Sequence, residues 1–388
     1  MLGRVALETA ASGGIIGSRL SFKYFLCEVK IKHIYWFAYY NLDEASVRYR
    51  AKYALKHLNS EYNITYSIIY PGYSFKSIFK FVTVFFSALL FRKSNSLIVF
   101  QKIYTQGIYA TALKLLLRAR HSYTLYDIDD AEYLRRPDKT IHHFMENCSA
   151  CSVGSRALLD YVKKINPQTF LLNSPVIDHG IIKQELEENF TIGWVGYYGA
   201  HKQSLLSLFF PAINRIGFPV TLRLLGAETE SEVNEVQDYF KGKPNVLIDM
   251  PLNLDWQNEL SIYSLIKTFD IGVSPLLDTE FNRCKSAFKL KQCLSCGIPM
   301  LGSSVGENRW FLLDGYNGYV CDTPDAYYSR IVELKADSDG RYNQLSLNAK
   351  QSFSSFSIDH FCLELIKHYA ASGSAQAVPV EVCVQICA

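Results

Sequence analysis

Residues 270–320, DIGVSPLLDTEFNRCKSAFKLKQCLSCGIPMLGSSVGENRWFLLDGYNGYV, decide how this chain is read. DIGVSPL (270–276) is an apolar run of strand length. A polar loop follows with Asn282, Arg283, Lys285 and Ser286, and it opens a helix expected over 286–295. PMLGSS (299–304) is the next strand, after a Cys-Gly-Ile-Pro turn. Strand, helix, strand at this spacing is the repeat of a parallel sheet. Lys285 and Lys289 stand four residues apart, which puts them on one helix face. Cations beside a helix N-terminus suit a diphosphate, and Gln292 lies further along, within reach of a sugar hydroxyl. The plainer alternative is a solvated basic helix start. It accounts for the lysines but not for the strand and glycine turn after them.

The alternation extends outward in both directions. Upstream, strands are expected at TIGWVG (191–196), VTLRLLG (220–226) and VLIDM (246–250), with helices at 202–215, 228–240 and 256–267. A first series precedes them: HIYWFAYY (33–40), ITYSIIY (64–70), SLIVFQ (96–101), YTLYDI (123–128), ACSVGS (150–155) and TFLLNSP (169–175). Helices are expected between them at 46–58, 75–91, 107–119 and 156–164. The predicted fold is therefore α/β: two Rossmann-like doubly wound parallel-sheet domains, 30–178 and 191–352, facing across a cleft. Residues 179–190 form the linker and 353–370 a C-terminal helix. Residues 1–29 show no period, and 371–388 form a loose tail.

At 388 residues, with 49% hydrophobic and 14% aromatic residues, disordered and collagen-like classes are excluded. The formal charge is only +3, but residues 1–180 carry 23 Lys and Arg against 13 Asp and Glu, and the remainder 17 against 24. Within 19–126 the ratio is 16 to 4. Such asymmetry marks an anionic partner for the first half. No apolar run reaches the ~20 residues of a spanning helix. The longest, FVTVFFSALLF (81–91), is expected to be a buried helix, with a helix lying in a membrane interface as the alternative. Glu8 interrupts the N-terminal segment, which is not read as a signal peptide. Two C-x-x-C pairs, Cys148/Cys151 and Cys293/Cys296, are read as free buried thiols rather than a zinc site.

Three further segments carry candidate chemistry. In TIGWVGYYGAHK, Gly196 ends a strand, Gly199 follows in the turn and Lys202 opens a helix. Backbone N–H groups and a cation then face an anion, or the segment is simply a tight turn. In YDIDDAEY, Asp127 and Asp129 read as a divalent-cation pair or a phosphatase nucleophile. Asp129 or Asp130 reads equally as the acceptor of a hydroxyl proton, or as a helix cap. Arg48 and Arg50, with Tyr49, follow the first strand, where they read as a solvated first helical turn.

These residues resemble the family-4 glycosyltransferases of the GT-B fold, over roughly 32–370. The 270–320 block resembles that family's donor loop, its helix ending in a Cys-Gly-Ile/Leu-Pro turn and its closing Asp-Gly-x-x-Gly segment. TIGWVG…HK resembles its first donor-domain strand and turn. DEASVRYRAKYALKHL (43–58), LIVFQKIYTQG (97–107) and YTLYDIDDAEY (123–133) resemble a branch that assembles bacterial cell-envelope and exopolysaccharide glycans.

The resemblance implies transfer of a sugar, with retention, from a UDP-, GDP- or ADP-sugar to a saccharide or lipid-linked saccharide. It implies no cofactor, no required metal and no nucleic acid. The donor would be held by Gly196, Lys202, Arg283, Lys285, Ser286, Lys289, Gln292 and Gly306. Asp130, Asp129 and Lys285 would be catalytic, and Arg48 and Arg50 would stand on the acceptor side. Localisation is expected to be cytoplasmic, peripheral on the inner face of an anionic membrane. Departures are visible too. Two glutamates eight apart in the family are Cys284 and Gln292 here, an Arg is Tyr197, and a further Glu is Trp310. A catalytically silent sugar-nucleotide-binding or assembly partner is the rival these departures raise.

Overall fold

The computed structural model describes residues 31–90, 95–119, 122–135, 139–183, 186, 189–337 and 340–371. The segments 1–29 and 372–388 lie outside these. The first six strands are β1 (His33–Ala38), β2 (Thr65–Ile69), β3 (Ser96–Gln101), β4 (Tyr123–Ile128), β5 (Ala150–Val153) and β6 (Thr169–Leu171). They pair in parallel in the order β2-β1-β3-β4-β5-β6. The second six are β7 (Thr191–Val195), β8 (Val220–Leu225), β9 (Val246–Asp249), β10 (Ile271–Ser274), β11 (Met300–Gly302) and β12 (Gly318–Val320). Their order is β12-β11-β10-β7-β8-β9, again all parallel.

Both sheets are covered on two faces, so their central strands are buried throughout: all six residues of β3 and all five of β7. That is why these strands read as unbroken apolar runs. The strand order reverses between β1 and β3 in the first sheet and between β7 and β10 in the second. A doubly wound sheet opens its ligand crevice at such reversals, beyond the carboxyl ends of the strands. The two Rossmann-like domains expected from the sequence are present. β12 is an addition, three residues inside the glycine-rich GYNGYV segment.

The helices that position the cleft are α1 (45–62), which widens to a π-helix over Arg48–Tyr53, α2 (Phe75–Leu90) and α3 (Ile108–Arg118). The first domain continues with α4 (Glu132–Arg135), α5 (Lys139–Asn147) and α6 (Arg156–Val162). The second adds α7 (198–213), α8 (Glu230–Tyr239), α9 (Glu259–Ile266), α10 (Glu280–Arg283), α11 (Phe288–Ser295) and α12 (Asn308–Phe311). The last are α13 (Pro324–Ala336), α14 (Arg341–Ser352) and α15 (Ile358–Tyr369). Although last in the chain, α15 returns to the first sheet. Phe361, Leu365 and Ile366 join Trp36, Leu55 and Val99 in one core, and the Cys362 thiol donates to the Ala54 carbonyl.

α2 corrects the expected buried helix. Only Ala88 is fully buried along it, while Phe75 is 85% exposed and Phe79 and Phe86 also face out. It flanks the edge strand β2, so Phe81, Val84, Phe85 and Leu89 pack inward and nothing in the described residues covers the other side. No described helix is long and apolar enough to cross a membrane. The seven described cysteines, both C-x-x-C pairs among them, are buried and free.

Candidate functional site in the interdomain cleft

The carboxyl ends of both sheets face one another, and three adjoining cavities lie between them. One, about 170 Å³, is bounded by Glu44, Tyr49, Asp129, Asp130, His201, Ser286 and Lys289. A second, about 240 Å³, runs past Gly196, Gly226, Glu259, Lys289 and Gln292. A third, about 490 Å³, lies beside Lys102, Asp130, Tyr197 and Lys285.

Lys289 stands between the first two. Its Nζ is enclosed, has no hydrogen-bond partner, and lies 4.7 Å over the ring of Trp194. Burial, with the neighbouring Lys285 charge, holds this amine well below the usual lysine range. The space it occupies exists because residue 196 is glycine. A Cβ there would come within 2.0 Å of Nζ and 2.4 Å of Cε. Lys289 lies in the first turn of α11, whose N-terminus no side chain caps. The first backbone N–H groups of a helix have no partner within it, so here they add to the positive end of a dipole. His201 from α7 faces the same space. Its imidazole is pushed down to about 2 by burial and by the Lys289 and Lys285 charges, so it is neutral.

Across the cleft, β4 delivers two carboxylates. Asp129 pairs with Lys102 at 2.5 Å. Asp130 reaches Lys285 of the second domain at 3.0 Å and Lys102 at 3.4 Å. Burial resists ionisation of Asp130, but the Lys285 and Lys102 charges outweigh it and hold the group below the usual carboxylate range. Asp129 moves the other way: burial raises it, Lys102 offsets this only in part, and the Asp130 charge adds to the rise. Lys102 itself sits at φ 52°, a left-handed conformation that costs a non-glycine residue ~1 kcal/mol or more. Its backbone N–H donates to the Asp127 carbonyl at 3.0 Å, which fixes it there.

Lys285, Ser286, Lys289, Gln292, Gly196, Asp129 and Asp130 thus come together, although α11 begins only at Phe288, so Lys285 precedes the helix instead of sharing its face. The other expected positions stand elsewhere. Lys202 is a full turn inside α7, because that helix starts at Tyr198 and takes Gly199 into it, and it pairs with Glu235 at 3.1 Å. Arg283 is exposed and pairs with Asp278 at 2.6 Å. Gly306, at φ +61°, lets its loop pack on the carbonyls of Asn282 and Lys285 and supports the site from behind.

Arg50 corrects the expectation of a cleft-facing or solvated cation. It is fully buried, forked onto Asp127 (Nε to Oδ2 2.9 Å) and bonded to the Leu172 carbonyl at 2.6 Å. Asp127 also accepts from Ser152 Oγ at 2.6 Å. It is therefore a core ion pair, not a nucleophile or metal ligand beside Asp129. Among the described residues, no group of three His, Cys, Asp or Glu is placed to hold a metal. Arg48 does reach across the cleft, donating to the Trp256 carbonyl at 3.0 Å and standing 3.5 Å from Glu259. Cys284 turns away into an apolar cluster, 4.0 Å from the Tyr133 hydroxyl. Trp310 lies under the Arg156 guanidinium at 4.1 Å, outside the three cavities.

Several site residues escaped the sequence reading. Lys102 and His201 sit in the quoted segments LIVFQK and GAHK, next to strand ends, and that position was the available signal. Glu44 and Lys291 also lie in quoted segments, but their spacing does not set them apart from their neighbours; Glu259 carried no signal. Glu259 takes the Tyr49 hydroxyl from the other domain. Lys291, fully buried in α11, donates to the Ser174 carbonyl of the first domain.

No family model matches the sequence, and no curated protein matches it. Solved structures do. A sucrose-phosphate synthase from Thermosynechococcus elongatus aligns with TM-score 0.63 at 14% identity, covering 89% of this chain and 100% of that one. A glycosyltransferase from Rickettsia africae gives 0.60 at 11%, over 88% and 99%. Anabaena HepE in complex with UDP gives 0.59 at 11%, over 87% and 100%. At these identities the likeness is one of fold, and that fold is GT-B.

Proposed function

We propose that this protein is a glycosyltransferase moving a sugar from a nucleoside diphosphate donor to a saccharide or lipid-linked saccharide. The observation that carries the reading is the Lys289 amine, enclosed and unpartnered at an uncapped helix start between two GT-B domains. Burial disfavours the charged form of this amine, which has no hydrogen-bond acceptor, and a diphosphate supplies both the acceptor and the counter-charge. HepE, similar in fold, has been solved with UDP and with UDP-glucose.

In this reading 191–352 is the donor domain and 30–178 the acceptor side. Lys285, Lys289 and the α11 backbone hold the UDP-, GDP- or ADP-sugar diphosphate, and Gln292 takes a sugar hydroxyl. As the glycosidic bond to the donor breaks, charge grows on the diphosphate, and preorganised cations stabilise it more than the intact donor. The account asks for no metal and no cofactor. The acceptor hydroxyl passes its proton to Asp129, the carboxylate that burial makes more basic. Retention follows the family resemblance. The site would work at the inner, cytoplasmic face of an anionic membrane, with no nucleic acid partner.

Calorimetry with UDP-, GDP- and ADP-sugars, followed by a transfer assay, tests this. Lys285→Ala and Lys289→Ala should each remove most transfer, and wild-type turnover by both contradicts the assignment. The position of Cys284, turned from the cavities, favours a second reading: a silent sugar-nucleotide-binding or assembly partner. Binding without transfer or hydrolysis would support that one.

A further inference from the structure

We propose that the outer face of α2, with Tyr73 and Ile108 beside it, docks the protein on an anionic lipid surface and holds the cleft mouth at headgroup level. This deepens the membrane placement above but needs nothing from the donor chemistry.

At 3.6 residues per turn, Phe75, Ile78, Phe79, Val82 and Phe86 form one stripe along α2. All five are exposed. The opposite face is already used, with Phe81, Val84 and Phe85 packed on the domain. Lys76 and Lys80 occupy the sector between, at one edge of the apolar stripe. A 16-residue helix with an apolar stripe flanked by lysines lies in an interface instead of crossing it.

The stripe is not isolated. Tyr73 is fully exposed in the loop after β2, and Ile108, 91% exposed, opens α3 after β3. Tyr109 packs on Phe81, rings 5.2 Å apart, so the two helices present one surface. Both loops leave the first sheet at its carboxyl edge, the edge that Lys102 and Asp130 carry into the cleft. The patch therefore rises to the rim of the site.

Charge selects the occupant. Between Glu61 and Asp127 the sequence has eight Lys and Arg and no carboxylate. A second copy docked symmetrically on this face would bring Lys76 and Lys80 against their own kind with no acid to pair them. Anionic lipid pairs Lys76 and Lys80 and takes the apolar stripe below its headgroups.

Co-sedimentation of the full chain with vesicles tests this, using phosphatidylcholine alone or mixed with phosphatidylglycerol, at low and high salt. The protein should pellet with the mixed vesicles at low salt and be released as salt screens the lysines. Phe75→Ser combined with Phe79→Ser should cut pelleting about tenfold, and Lys76→Glu combined with Lys80→Glu likewise. Both changes are on the surface, so nucleotide-sugar binding by calorimetry should stay as in wild type. No pelleting by wild type, or equal pelleting by the variants, overturns the proposal. So does a wild-type dimer that the variants convert to monomer, which would make the face a self-interface. Vesicle binding by a protein that takes no nucleotide sugar leaves docking standing and removes the donor reading; the reverse result separates them the other way.

Discussion

Lys289 keeps its amine directly over Gly196, where a Cβ would meet it at 2.0 Å. The pair couples a glycine turn after β7 to a cation on α11, two segments nearly a hundred residues apart. Gly196→Ala must push the amine out of its place over Trp194, and it also presses on the Trp194 ring, which a Cβ would meet at 2.8 Å. Lysine is flexible but the buried indole is not, so stability should fall by about 1–3 kcal/mol. Nucleotide-sugar affinity should fall about tenfold to a hundredfold, the value of a charge-assisted hydrogen bond. Thermal unfolding and calorimetry on the same variant read the two effects separately.

Asp130 holds Lys285 at 3.0 Å in the unliganded site. A diphosphate that uses Lys285 has to take it from this carboxylate. Asp130→Asn should therefore bind a nucleoside diphosphate at least as tightly as wild type, several-fold tighter at low salt. Weaker binding would show that Asp130 supports the ligand instead of competing for its cation.

The Arg50–Asp127 pair belongs to the first-domain core and not to the chemistry. Asp127→Asn leaves a fully buried guanidinium half-paired, which should cost about 3–5 kcal/mol in denaturant unfolding. Turnover per folded molecule should be unchanged. A variant of wild-type stability with no activity would contradict this.

How much of this was legible follows from where the information sits. SLIVFQ and TIGWVG are buried on both faces, so an apolar run alone located strands β3 and β7. Lys285, Ser286, Lys289 and Gln292 are visible because one loop and one helix carry them. Lys202 and Arg283 have the same charge in sequence, yet each finds a local carboxylate, Glu235 or Asp278, that no spacing announces. Glu44, Lys102, His201 and Glu259 arrive from four separate segments, and only the closed topology assembles them. The exposure of the outer face of α2 is not legible, because an apolar run looks alike whether a core or a surface receives that face.

Lys291 gives the site a pH signature. Burial, only partly offset by Glu307, pushes its amine down to about 7. The unfolded chain binds this proton up to the ordinary lysine range and the folded chain does not. Stability from this residue is therefore full above that range and lost as pH falls toward 7. Lys291→Met removes the dependence. Relative to it, wild type should lose up to about 1.4 kcal/mol per unit between pH 9 and 7. Parallel stability curves over that window would refute the assignment.

The central claim is that the cleft takes a nucleoside diphosphate sugar on Lys289. A thermal-shift screen of wild type and Lys289→Met against UDP-, GDP- and ADP-sugars tests it most directly. One nucleotide class should raise the wild-type midpoint by several degrees, as about 2.7 kcal/mol of linkage at a hundredfold excess over Kd requires. The same ligand should leave Lys289→Met within a degree of its own baseline. Equal shifts in both proteins, or no shift in wild type with any of the three, would contradict the account.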